Sequence, residues 1–119
     1  MIFNLTQHNP TPAQKAEGVW DTTEEIKGLL TFTSLPTKEE VEARAEALGD
    51  VVESHHQFTG LRVMVGGAPY LMGPLVKALQ RRGFDPVFSF TERKSVEKHA
   101  EDGTVTKTAD FEHVSWVQA

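Results

Sequence analysis

The chain has no cysteine. A disulfide framework, a thiolate nucleophile and a thiolate metal site are therefore excluded, and the fold has to hold by packing alone. No apolar run approaches the roughly 20 residues that a membrane helix needs. The opening Met1-Ile2-Phe3-Asn4-Leu5 has neither the basic region nor the apolar length of a signal peptide, so a cytoplasmic location without membrane contact is the expectation. Charge of one sign is nowhere concentrated. The net −5 is spread over both halves, which predicts no duplex DNA partner. Also missing are a Gly-x-Gly-x-x-Gly fingerprint and the lysine of a P-loop, so nicotinamide and ATP enzymes of those kinds are not supported.

What is present fits one domain: 119 residues, with 39% hydrophobic content to build one core. Ile2 to Thr6 reads as a short buried strand, ended by Gln7-His8-Asn9-Pro10. Thr11-Pro12-Ala13-Gln14 is a capping box with proline at the first helical position, opening a short helix that ends near Gly18. Val19 and Trp20 suggest a brief strand, and Thr22 to Glu25 repeats the capping pattern for a helix through Leu30. Thr37 with Glu40 caps a long amphipathic helix, on which Val41, Ala45, Leu48 and Val52 recur at helical spacing up to His55 or His56. Leu61 to Val65 is a β-rich apolar run between glycines. Gly66-Gly67-Ala68-Pro69 turns out of it into a helix faced by Leu71, Leu75 and Leu79, and Arg81-Arg82-Gly83 closes that helix. Pro86 to Phe90 is a further strand, and Ser95 to His99 and Thr104 to Thr108 flank the turn Glu101-Asp102-Gly103 of a hairpin whose returning strand continues through Phe111 to Val117. The fold class is α/β, a small Rossmann-like domain with a mostly parallel sheet, helices on both faces and a C-terminal antiparallel hairpin.

In open α/β sheets, ligands bind beyond the carboxyl ends of the parallel strands, where loops meet the free amides of helix N-termini. Three segments qualify: Thr6 to Asn9, Gly66 to Tyr70, and a loop over Ser89 to Ser95. Gly66-Gly67 lets a phosphate or ribose approach the backbone closely, although a plain connecting turn has the same sequence. His8 stands where an imidazole can donate to phosphate or move a proton, or be a solvated turn residue. Arg93 can grip a phosphate bidentately, while a charged edge strand looks alike. His55-His56 diverge on their helix and have no partner at ligand spacing, so no metal site is expected. His113 is placed inward near Trp116, with nothing to mark it as a ligand, and no Ser-His-Asp arrangement can be proposed from the sequence.

Phe3-Asn4-Leu5-Thr6-Gln7-His8 with Pro12-x-Gln14, the segment Val65 to Met72, and Phe88-Ser89-Phe90-x-x-Arg93-x-Ser95-Val96-Glu97 resemble the small CRISPR-accessory proteins of the CARF-like ring nuclease group. The resemblance implies a Rossmann-like homodimer that binds a cyclic oligoadenylate across its two-fold axis and cuts it without metal or cofactor. The ligand-binding positions it implies are Thr6, Gln7, Gly66, Gly67, Ala68 and Tyr70. His8, Arg93 and Ser95 take the catalytic positions, and the ribose 2′-hydroxyl attacks its own phosphodiester.

A second class of reading is a non-catalytic regulatory or protein-interaction module on the same fold, and a third is a sugar- or nucleoside-modifying enzyme, for which no catalytic carboxylate stands out. A concave pocket gathering Thr6, His8, Gly66, Gly67, Arg93 and Ser95 favours the nucleotide reading. An exposed apolar strip around Phe88, Phe90, Val114 and Trp116 favours a protein partner.

Overall fold

The computed structural model describes residues 1–56 and 60–119; for residues 94–96, 98 and 107–111 it describes the backbone alone. In chain order the elements are β1 (Ile2–Leu5), α1 (Pro12–Ala16), α2 (Glu24–Leu30), α3 (Lys38–His55), β2 (Arg62–Val65), α4 (Pro69–Arg81), β3 (Asp85–His99) and β4 (Val105–Gln118). They form an α/β fold around one four-stranded sheet of order β1-β2-β3-β4. β1, β2 and β3 run parallel, and β4 returns antiparallel to β3.

The helix starts follow their caps. Thr11 Oγ1 accepts from the Gln14 backbone N–H at 3.2 Å, and Gln14 Oε1 accepts from the Thr11 N–H at 3.0 Å, a reciprocal box that fixes α1. Thr37 Oγ1 accepts from the Glu40 N–H at 3.1 Å and starts α3. The cap of α2 is Thr23 rather than Thr22, since it is Thr23 Oγ1 that accepts from the Ile26 N–H. Val19 forms only an isolated parallel bridge with Ile2 instead of a strand, because Val19 N–H donates back to Gln14 and the next residues turn away into α2.

The two faces of the sheet differ. Phe3 and Leu5 of β1 and Val63 and Val65 of β2 point into the main core, where Ile26, Leu48, Val52, Leu71, Leu75 and Leu79 of the helices meet them. The alternate residues Ile2 and Met64 face the other way and share a small cluster with Val19 and Trp116. Among the described residues α1 is the helix on that second face, so helices lie on both sides but with unequal cover. The contact of α3 with α4 is locked by Arg82, whose guanidinium lies 2.9 Å from Glu46, 2.9 Å from Asp50 and 3.1 Å from Glu53. Gly49 makes room for it: a Cβ there would lie 2.7 Å from the guanidinium carbon.

The segment Ser89 to Ser95, expected as a loop, is part of one unbroken strand. β3 runs on to His99, and every residue from Thr91 to His99 has a β4 partner, from His113 back to Val105. A neighbouring strand that supplies hydrogen bonds at each step outweighs the polar composition that reads as a loop. Beyond Val87, where its pairing with β2 ends, β3 has only β4 beside it among the described residues, so the pair projects as a two-stranded arm from a molecule 57 Å long and 34 Å wide. At the root of the arm, Phe90 pairs with Ser115 but Thr91 pairs with His113. Val114 is therefore an extra residue, a β-bulge. Residues three apart on a regular strand point to opposite faces; the bulge lets His113 and Trp116 share one.

Candidate functional site

The parallel strands end in a row. Continuing the pairings Leu5 with Val65 and Met64 with Val87 outward brings Thr6, Gly66 and Ser89 abreast at the carboxyl ends of β1, β2 and β3. A cavity of about 500 Å³ opens over this row, lined by Thr6, Gln7, His8, Gly66, Gly67 and Ser89, with Gln14 of α1 on its wall. Its size is within the roughly 300–1,000 Å³ of sites that take one small ligand.

Asn4 shapes the first wall. It is 1% exposed, and its Oδ1 accepts from the Thr6 backbone N–H at 2.9 Å and from Thr6 Oγ1 at 2.7 Å, while its Nδ2 donates to the His8 carbonyl at 2.9 Å. A buried amide that satisfies three loop groups holds residues 6–8 as a rigid lip and presents His8 at the exposed edge. Gln7 Nε2 donates to Thr31 Oγ1 at 2.8 Å and ties the lip to the end of α2. On the second wall, a Cβ at Gly66 would stand 3.3 Å from Thr6 Cγ2, so glycine keeps the row open. Gly67 has φ +145°, a conformation that side chains other than hydrogen resist, and it turns the chain into α4.

The third wall carries a hydrogen-bonded chain of side chains. Glu17, at the C-terminal cap of α1, accepts from His113 Nε2 at 3.2 Å and from the Trp116 indole N–H. His113 Nδ1 lies 2.5 Å from Ser89 Oγ, and Gln14 Nε2 donates to the same Oγ at 3.3 Å. The His113 side chain is 1% exposed and its ring centroid sits 4.5 Å from that of Trp116. Donation from His113, then from Trp116, holds the Glu17 carboxyl below the usual range, with the Arg62 charge adding to the effect. An ionised carboxylate only accepts, so in the neutral imidazole it sets the proton on Nε2 and leaves Nδ1 to accept from the Ser89 hydroxyl.

The structure thus brings together Thr6, Gln7, His8, Gly66 and Gly67, and leaves other expected residues outside. Ala68 caps α4 and packs on the main core. Tyr70 is turned to the helix side, its ring 5.4 Å from that of Phe32. Arg93 is exposed on the arm, four residues past Ser89 on β3, which at the rise of an extended strand is roughly 13 Å away. Ser95 is paired through its backbone with Ala109, and its side chain lies outside the described residues. His55 and His56 both set their rings on Phe3, at 5.6 and 5.8 Å. Among the described residues no group of three or more His, Cys, Asp and Glu forms a metal cluster. The sequence reading missed Glu17, Gln14 as a wall residue, and the pairing of Ser89 with His113. Only Gln14 carried a local signal, its capping box.

Two other surface features stand apart. A groove of about 1,050 Å³ between α3 and α4 is larger than the cavity over the strand ends, but Glu46 there is bonded to Arg81 and Arg82. All of its lining residues belong to α3 and α4. On the arm, Phe90, Val114 and Val117 are 46–50% exposed and form an apolar strip at its root.

The arrangement defines an α/β protein with a mostly parallel sheet, consistent with a Rossmann-like fold, and a small polar cavity at the strand ends. Over residues 1–117 the chain matches the family described as the uncharacterized protein MJ1673 family, and it belongs to that family. No curated protein and no solved structure matches it. Among the described residues no helix is long and apolar enough to cross a membrane.

Proposed function

We propose that this chain binds a cyclic oligoadenylate, the ligand class of the CRISPR-associated ring nucleases it resembles, and cleaves it without metal. The observation that carries the reading is the convergence of Thr6-Gln7-His8 and Gly66-Gly67 on one cavity beyond the parallel strands. Glycine amides before the N-terminus of α4 suit a phosphate, and the hydroxyl and amide of Thr6 and Gln7 suit a ribose or a base edge. The cavity has room for one nucleotide unit. A ring of several units therefore needs two cavities, which supports a two-fold homodimer with the ligand across its axis. The exposed strip of Phe90, Val114 and Val117 supplies apolar surface for such an association.

In the reaction, the ribose 2′-hydroxyl attacks the adjacent phosphorus and the 5′-oxygen departs. His8, at the lip, moves the proton. Backbone N–H groups at Gly66 and Gly67 carry the charge that develops on phosphate, the work first expected of Arg93, since Arg93 stands on the arm outside the cavity. The test is incubation with cyclic tri-, tetra- and hexa-adenylate in EDTA, with products resolved by liquid chromatography and mass spectrometry. Linear products ending in a 2′,3′-cyclic phosphate, lost in His8→Ala, are the expected result. Neither cleavage nor calorimetric binding of any of the three rings overturns the reading and leaves a regulatory module that associates through the Phe90 strip.

A further inference from the structure

We propose that Ser89, His113 and Glu17 form a serine–histidine–carboxylate relay that makes the Ser89 hydroxyl a nucleophile towards phosphodiesters. The activity goes beyond self-cleavage of a ribonucleotide ring, because it needs no 2′-hydroxyl on the substrate.

Three observations converge. Ser89 lines the cavity together with Gly66 and Gly67 of the glycine turn. Its proton faces His113 Nδ1 at 2.5 Å, and the far nitrogen of that ring faces Glu17 at 3.2 Å. The ring is enclosed, 1% exposed, against Trp116, so water does not compete for it. This is the role pattern of an activated serine: a hydroxyl bonded to an imidazole whose other nitrogen is held by a carboxylate. Here the hydroxyl meets Nδ1 and the carboxylate Nε2, the reverse of the commoner orientation, with the same division of roles. Gln14 Nε2 takes one lone pair of Oγ, which fixes the hydroxyl rotor and leaves the other lone pair for attack. Two independent devices, the extra residue Val114 and the placement of Glu17 at the end of α1, are needed to assemble the set. A solvated or purely structural histidine requires neither.

The step balances as follows. Ser89 Oγ forms a bond to phosphorus while its proton passes to His113 Nδ1; the P–O bond to the leaving alcohol breaks, and His113 returns the proton to that oxygen. Water then attacks the seryl phosphodiester, giving its proton to His113, and Ser89 Oγ leaves and is reprotonated. Glu17 is a positioning residue that holds the tautomer and steadies the imidazolium.

The experiment uses the full chain in EDTA with bis(p-nitrophenyl) phosphate, which has neither a 2′-hydroxyl nor a base, together with a fluorophosphonate label read by peptide mass spectrometry. Release of p-nitrophenolate and a single adduct on the Ser89 peptide are expected. Both vanish in Ser89→Ala and slow by at least about a hundredfold in His113→Gln. Glu17→Gln lowers kcat at least about tenfold with KM unchanged. Because the chain has no cysteine, Ser89→Cys creates a sole thiol. The relay predicts that it is alkylated by iodoacetamide near neutral pH at least about tenfold faster than free cysteine. An unlabelled Ser89, an adduct elsewhere, or a Ser89→Cys thiol no faster than free cysteine overturns the relay, whatever the cyclic adenylates do. Conversely, failure with cyclic adenylates leaves these readouts untouched.

Discussion

The two faces of one short strand do different work. On β1, Phe3 and Leu5 point to the helix side and join an apolar core fed by α2, α3 and α4, whereas Asn4 on the opposite side is equally buried yet directs three side-chain hydrogen bonds to the lip of a cavity. The same division crosses the sheet: Val63 and Val65 against Met64, Phe88 against Ser89. Strand alternation alone separates the residues that hold the fold from those that build the site. The thick helical layer supplies stability, and the thin layer of α1 leaves room for chemistry at the strand ends.

The sharpest way to break this division is to damage each side and ask what is lost. Leu75 is fully buried in the helical core, and Leu75→Ala is expected to cost about 3 kcal/mol in urea unfolding, the transfer and cavity cost of such a truncation. Ligand affinity measured where the variant is still folded should stay unchanged. On the polar side, Asn4→Leu leaves the Thr6 N–H and the His8 carbonyl without their buried partner. It should cost about 2 kcal/mol and, unlike the core variant, should also weaken ligand binding, because the lip is no longer held. A pair of variants that both lose stability and binding in proportion would show that the faces are not separable.

Gly66→Ala sharpens the contrast further. The new methyl meets Thr6 Cγ2 at 3.3 Å, and Thr6 cannot rotate away while Asn4 holds its hydroxyl. The stability cost should be on the order of 1 kcal/mol, yet the methyl narrows the cavity floor, so calorimetric binding of a nucleotide should fall more than stability does. Unchanged binding would remove Gly66 from the site.

Much of this was legible in the sequence. The capping box at Thr11, the N-cap at Thr37, the helical spacing of Val41, Ala45, Leu48 and Val52, and the strand–glycine–helix run around Gly66 are local signals, each set within a few neighbouring residues, and the structure follows them. The cavity at the strand ends follows from parallel topology, which is why Thr6, Gln7, His8, Gly66 and Gly67 meet. The third wall was illegible for a physical reason. Its defining bonds span 24 residues between Ser89 and His113 and 96 between Glu17 and His113. The facing of His113 depends on a bulge that alternation does not encode. The hairpin strand from Ser95 to His99 was legible, but its continuity with Pro86 to Phe90 was missed because the stretch from Thr91 to Lys94 is polar, and only a partner strand makes such a stretch extend. Arg93 was misplaced by the same error, since a loop would have curled it back over the cavity.

The smallest expected effect compares one carboxylate from each side. Glu17 beside the cavity is held below the ordinary glutamate range chiefly by the His113 hydrogen bond, and Glu46 beside α4 chiefly by the Arg82 hydrogen bond. In both cases the folded pKa lies below the unfolded one, so the unfolded chain binds more protons over that window and stability rises with pH. Each contribution is present above the unfolded value, about 4.3 for glutamate, and is lost as pH falls through the lower folded value. Urea midpoints followed downwards from pH 5 should therefore fall less steeply in Glu17→Gln and in Glu46→Gln than in the parent chain. The reduction should be small, since both carboxylates are substantially exposed and solvent screens them. The two sit on opposite sides of the sheet and share no partner among the described residues, so the double variant should show the sum of the two changes. A non-additive result would mean that the polar face and the helical face communicate through the sheet, and the separation read from β1 would fail where it is easiest to measure.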